Sequence, residues 1–170
     1  GTINVTGNKN IGMRVDLGST KTDDSGTFTP RAINKGKITI TDGERNIGMV
    51  ANSSDGNHKA IAQNNLGASI TFKNNSTKAI GMFSQDGGEI LNEGDIKGEG
   101  SSLKETIGMA IQPALSGAGH NNTASSGINK GDIDLSGEKV TGVYNQGKFI
   151  NEKNITTSGK GSISLYAKGQ

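Results

Sequence analysis

Ile33-Asn34-Lys35-Gly36-Lys37-Ile38-Thr39-Ile40, followed seven residues later by Ile47-Gly48-Met49, is the stretch that decides the fold. It holds three elements in order: an Asn-Gly turn, a short strand of alternating apolar and polar residues, and an Ile-Gly-Met triplet. Alternation with period two marks a half-buried strand. Asn and Gly tolerate left-handed backbone conformations that other residues resist. The same three elements recur along the chain. The triplet stands at Ile11-Gly12-Met13, Ile47-Gly48-Met49, Ile80-Gly81-Met82 and Ile107-Gly108-Met109, with weaker copies at Thr141-Gly142-Val143 and Ile163-Ser164-Leu165. The alternating strand begins at Ile3, Ile38, Ile70, Ile96, Ile133 and Ile155, eight to eleven residues before each triplet. The turn is predicted as a column of Asn34, Asn65, Asn92, Asn129 and Asn151, able to form a side-chain amide ladder.

The shortest period, from Asn129 to Asn151, is 22 residues. That suits one coil of a parallel β-helix, with three short strands and three corners, adding about 4.8 Å along the axis. The expected fold is all-β: a right-handed parallel β-helix (β-solenoid) of about six rungs, with variable loops at one corner. A sandwich of short strands does not explain the fixed order of the three elements. The short left-handed solenoids of trimeric adhesin heads have rungs shorter than 22 residues. Two inward columns are predicted, Ile11, Ile47, Ile80 and Ile107 beside Met13, Met49, Met82 and Met109.

A thin stacked core also accounts for the composition. Apolar residues are only 30% and aromatics 4%, with 27 Gly and no Trp. By itself that points toward disorder, but a solenoid needs few large side chains because each coil is stabilised by its neighbours. The net charge of +2 comes from scattered residues, with no block of like charge, which gives no footprint for nucleic acid. There is no cysteine, so no disulfide frame and no thiol nucleophile. No apolar run is long enough to span a membrane. Residues 1–170 are expected to form a single β-helical segment, an uncapped piece of a longer stalk.

Variable segments are expected to bulge from one corner: 14–32, 50–64 and 110–127 are long, whereas 83–90 and 144–150 are tight. Long excursions on a rigid scaffold are common places for binding residues. The candidates are Arg14, Asp16, Asp23, Asp24, Phe28 and Arg31 in the first, Asp55, His58 and Lys59 in the second, and Pro113, His120, Asn121 and Asn122 in the third. His58 and His120 lack metal-ligand spacing, so neither a metal nor a cofactor is expected. No GxSxG elbow occurs. The one carboxylate cluster that the strands can assemble is Asp95, Asp132 and Asp134. It is the only footing for a polysaccharide-cleaving β-helix, and catalysis is not expected.

The Ile-Asn-Lys-Gly turn and strand followed by Ile-Gly-Met resembles the passenger repeats of large classical (type V) autotransporters, and is most similar to the giant fusobacterial outer-membrane adhesins. The resemblance covers the whole chain. It implies a non-catalytic passenger displayed at the bacterial cell surface, in a parent anchored by an outer-membrane barrel. It implies partners among host-cell or bacterial surface receptors or glycans. A spacer without its own binding site is the alternative role.

Overall fold

A computed structural model describes residues 1–18, 29–53, 58–99 and 102–169. Those residues form strands and turns and no helix, wound as a right-handed parallel β-helix whose three walls are parallel sheets. Sheet A stacks β1 (Thr2–Thr6), β4 (Lys37–Thr41), β7 (Ser69–Lys73), β10 (Asp95–Glu99), β14 (Ile133–Glu138) and β17 (Ile155–Ser158). The short β11 (Leu103–Lys104) joins it through β14. Sheet B stacks β2 (Ile11–Leu17), β5 (Ile47–Ser53), β8 (Ile80–Gln85), β12 (Ile107–Ile111), β15 (Thr141–Asn145) and β18 (Ile163–Ala167). Sheet C stacks β3 (Arg31–Asn34), β6 (Ile61–Asn64), β9 (Glu89–Asn92), β13 (Ser126–Asn129) and β16 (Lys148–Asn151). Each coil runs A to B to C, so coil 1 is β1–β3, coil 2 is β4–β6, coil 3 is β7–β9, coil 4 is β10–β13, coil 5 is β14–β16 and coil 6 is β17–β18.

The two repeated strands of the sequence are sheets A and B, and their register places like on like. Ile3, Ile38, Ile70, Ile96, Ile133 and Ile155 stack in sheet A. Ile11, Ile47, Ile80, Ile107, Thr141 and Ile163 stack in sheet B, as do Met13, Met49, Met82, Met109, Val143 and Leu165. The two sheet B columns are not equally inward, which corrects the expectation for the first. Met49, Met82 and Met109 are wholly buried, whereas Ile47, Ile80 and Ile107 are half-buried and Ile11 is 39% exposed.

The glycine between them is the reason. A Cβ on Gly48 would lie among Ile70 and Ile40, so this position faces the core, as does Met49 after it. The alternation breaks at the glycine and leaves the isoleucine on the rim. The same Cβ would lie 2.6 Å from the carbonyl oxygen of Gly81 on the next coil. Gly12, Gly81, Gly108 and Gly142 repeat the contact at 2.8, 2.6, 2.5 and 2.5 Å from the coil that follows each. No Cβ fits such a gap, so the middle residue of the triplet is glycine by steric necessity.

Sheet A fills its side of the core with bulk: Ile38, Ile40, Ile70, Phe72, Ile96, Ile133 and Leu135 are all essentially inaccessible. In coil 4 the Phe72 position is taken by Gly98. Leu103, the first residue of β11, occupies the space a Gly98 side chain would need, its Cδ1 standing almost on that Cβ position.

The third element of the repeat is not a free turn but the last residue of each sheet C strand. Asn34 pairs with Asn64, and Asn64 with Asn92. The column is therefore Asn34, Asn64, Asn92, Asn129 and Asn151, and Asn65 is corrected to Asn64. The coil 2 corner carries the extra Leu66-Gly67, which shifts the asparagine two residues further from the strand that follows. Along the column each Nδ2 donates to the next Oδ1, at 2.9 Å for Asn34 to Asn64 and 2.8 Å for the three steps that follow. Asn64, Asn92 and Asn129 are fully buried, so these amides need those partners.

Candidate functional surfaces

The corner between sheets B and C is where the coils differ most. Coil 3 turns it with Asp86-Gly87-Gly88, and coil 5 with Gln146-Gly147. Coil 4 takes Gln112 to Ser125 to cover the same step, and folds back toward the coils before it. His120 Nδ1 lies 2.6 Å from Asp86 Oδ1 on coil 3. Asn121 Nδ2 donates to the carbonyls of Asp86, at 2.9 Å, and of Ser53 on coil 2, at 2.6 Å. The Gly87 N–H donates to Ser125 Oγ at 3.2 Å. A Cβ on Gly87 would meet Thr123 at 3.2 Å, and one on Gly88 would run into the Ala51 carbonyl. Gly87 also holds a left-handed φ of 84°. The tight glycine turn of coil 3 is thus the seat of the coil 4 loop.

Lys59 enters sheet C beside this loop. Its Nζ lies 2.9 Å from Glu89 Oε2 and 3.4 Å from Ser126 Oγ, and Ser126 Oγ donates to the same carboxylate oxygen at 2.9 Å. Lys59, Glu89 and Ser126 stand on coils 2, 3 and 4, so these bonds tie three coils together. His58 stands next to it, its carbonyl accepting from Ser53 Oγ at 2.7 Å.

Three of the proposed loop residues lie on strands instead. Arg14 and Asp16 are in β2 and Arg31 opens β3, because β2 runs four residues beyond the triplet and sheet C begins before its asparagine. Arg14 grips Asp16 through Nε at 2.7 Å and an Nη at 2.9 Å. The guanidinium's hydrogen bond holds the Asp16 carboxyl below its usual range, against a partial desolvation that works the other way. Both side chains are about half exposed, so the pair adds little stability. Arg31 donates to Gln63 Oε1 at 3.1 Å. Asp23, Asp24, Phe28 and Asp55 lie outside the described residues. Pro113 and Asn122 sit in the coil 4 loop, where the Asn122 N–H donates to the Leu115 carbonyl at 3.0 Å.

On the outer face of sheet A, Asp95, Asp132 and Asp134 do come together, with Lys97 and Ile96, around a shallow hollow of about 200 Å³. Among the described residues no three His, Cys, Asp or Glu side chains converge closely enough to hold a metal ion.

This architecture has a counterpart in a family model. Residues 1–115, more than half of the chain, match the model described as the BigA third pectate lyase-like domain. The chain belongs to that family. It is a pectate lyase-like β-helix domain of the kind carried by bacterial surface proteins. No curated protein and no solved structure matches the chain. No helix among its described residues is long and apolar enough to cross a membrane.

Of the contacts around the coil 4 loop, the sequence points to His120, Asn121 and Lys59 but not to their partners. Asp86, Glu89 and Ser126 are not signalled because each lies on a different coil from the residue it contacts. The Asp86-Gly87-Gly88 turn was the available signal: two glycines at a corner where other coils carry loops imply close approach of another backbone.

Proposed function

We propose that this β-helix domain is a non-catalytic, surface-displayed adhesive segment, of the autotransporter-passenger type, in a longer chain anchored by an outer-membrane barrel. The observation that carries this is the coil 4 loop, a long excursion fastened across two coils of a rigid rod. Its partner would be a surface receptor or glycan on host cells or other bacteria. Fixing the loop before contact lowers the ordering cost of binding.

The test is binding of the purified 170-residue chain to host cells, partner bacteria and immobilised glycans. A variant with 112–125 replaced by a short Gly-Asn turn runs beside it. Binding by the parent and its loss in the folded variant is the expected result. A specific observation favours a second reading, the spacer: His120, Asn121, Lys59, Arg14 and Arg31 are all engaged in bonds within the chain. Absence of binding by both folded proteins would select it. Cleavage of an acidic polysaccharide by the parent, with or without Ca²⁺, and its loss on Asp132→Asn would replace both with a lyase working at the sheet A hollow.

A further inference from the structure

The corner between sheets A and B is turned the same way in every coil. Two residues before each triplet the backbone is left-handed, with φ of 59° at Lys9, 60° at Arg45, 52° at Lys78, 50° at Glu105, 53° at Lys139 and 71° at Gly161. The N–H of each of the first five donates to a carbonyl of the coil that follows, at 2.8 to 3.0 Å, which fixes the line from coil to coil. Glycine suits such a backbone best, and coil 6 uses it. Lysine, arginine and glutamate gain nothing from that conformation, so the fold does not account for their side chains. Lys104 and Lys160, each one residue before the line, add cations in coils 4 and 6. Every coil thus places a cation at this corner: Lys9, Arg45, Lys78, Lys104, Lys139 and Lys160. Neither other corner does so, since coil 3 turns them with Asp86-Gly87-Gly88 and with Glu93-Gly94. Asp42, Glu44, Glu105 and Glu138 share the corner, and Glu44 lies 3.5 Å from Arg45 Nε and 3.2 Å from Lys78 Nζ. Among the described residues, Lys9, Lys104, Lys139 and Lys160 have no ion-pair partner. Charges that look scattered in the sequence are therefore gathered on one edge of the rod.

We infer that this ridge is a binding site for a sulfated linear glycan laid along the rod. Its cations recur at the coil spacing, about 4.8 Å, so a polymer charged along its length meets one at each coil. Many weak contacts on one fixed line then act together. A sulfate offers three acceptor oxygens to an ammonium or guanidinium, where a carboxylate offers two. The corner suits other polyanions less well. It has no aromatic side chain on which a nucleic-acid base could stack. Its apolar residues, Ala79, Leu103 and Val140, are buried, which leaves none to enter a lipid layer. The ridge lies at the opposite end of sheet B from the coil 4 loop. It deepens the adhesive reading, on which it rests, with a contact that the loop does not share.

Binding of the 170-residue chain to immobilised heparin tests this. The parent should bind at physiological salt and weaken steeply as salt rises, as ionic contacts along a charged polymer do. Lys9→Gly, Arg45→Gly, Lys78→Gly and Lys139→Gly together remove charge and suit the backbone, so this variant should fold and lose roughly tenfold or more in affinity. Lys35→Gln, Lys37→Gln, Lys130→Gln and Lys148→Gln make the same change of net charge on other faces and should lose less than about twofold. Glu105→Gln should bind more tightly than the parent. A parent that does not bind heparin, or a control variant that loses as much as the ridge variant, overturns the inference. So does a parent that holds polygalacturonate or single-stranded DNA as tightly as heparin. Should the glycine variant fail to fold, Lys9→Asn with Lys139→Asn, which also accept a left-handed backbone, takes its place, and unchanged affinity there overturns the inference too. The variant with 112–125 shortened should bind heparin as the parent does. The two readings therefore fail separately: heparin binding without attachment to cells upholds the ridge and removes the adhesive role, and loop-dependent attachment without heparin binding does the reverse.

Discussion

Sheets A and B wall the same narrow core by opposite means. Sheet A fills it with side chains and varies freely, from Ile40 to Phe72 to the Gly98–Leu103 pair to Leu135. Sheet B brings backbone against backbone at Gly12, Gly48, Gly81, Gly108 and Gly142, and does not vary until the last coil. Missing volume can be supplied from a neighbouring residue, as Leu103 supplies it for Gly98. A clash with a carbonyl cannot be relieved from elsewhere. That difference explains why the triplet is the loudest signal in the sequence and the sheet A strand a quieter one.

The contrast can be broken at either wall. Gly81→Ala should be the most damaging, costing about 4 kcal/mol, because its Cβ must displace a packed backbone and not a rotamer. A denaturant melt that shifts by less than the Phe72→Leu variant would abolish the distinction between the walls. Leu103→Ala reopens the space beside Gly98 and should cost about 3 kcal/mol as a cavity. Restoring the bulk with Gly98→Val in that background should recover part of it, which no change elsewhere could do for sheet B. Asn92→Ala leaves Asn64 without its acceptor and Asn129 without its donor, both buried, and should cost about 2 kcal/mol in the same melt. Phe72→Leu should cost about 1 kcal/mol, since sheet A already accommodates different shapes at that level. Ser84→Ala is expected to raise the midpoint slightly, by up to about 1 kcal/mol. Its hydroxyl is buried without a partner in a column shared with Ala51 and Ile111.

Much of the fold was legible because it is periodic. Six stacked isoleucines in sheet A and the glycine triplets of sheet B fix coil number and register from spacing alone. The asparagine column was legible except at Asn64-Asn65, where two adjacent candidates and a two-residue insertion make local spacing ambiguous. Only pairing with Asn34 and Asn92 decides between them. Sheet C itself was seen as a turn, since its strands have four residues and the inward position is small in three of the five, Ala32, Ala62 and Gly127, while Ile33 and Ile150 face outward. The candidate surfaces were less legible for a physical reason. Which coil the loop of coil 4 leans on depends on long-range contacts such as His120 with Asp86, and no period announces them. Arg14 looks like a loop residue only if the strand is stopped at the triplet, whereas Val15 and Leu17 carry the apolar alternation to the end of β2.

The fastening of the coil 4 loop has a mechanical meaning. A surface rod is loaded in tension and shear, and a solenoid under tension gives way by peeling one coil from the next. Drawn from its C-terminal end, coils 6 and 5 would each come away from a single neighbour. Coil 4 cannot leave so simply, because Asn121 and His120 tie it to coil 3 and coil 2 together. Peeling would stall at that rivet, and a force–extension trace would show its highest step there, shielding the first three coils from strain applied at the far end.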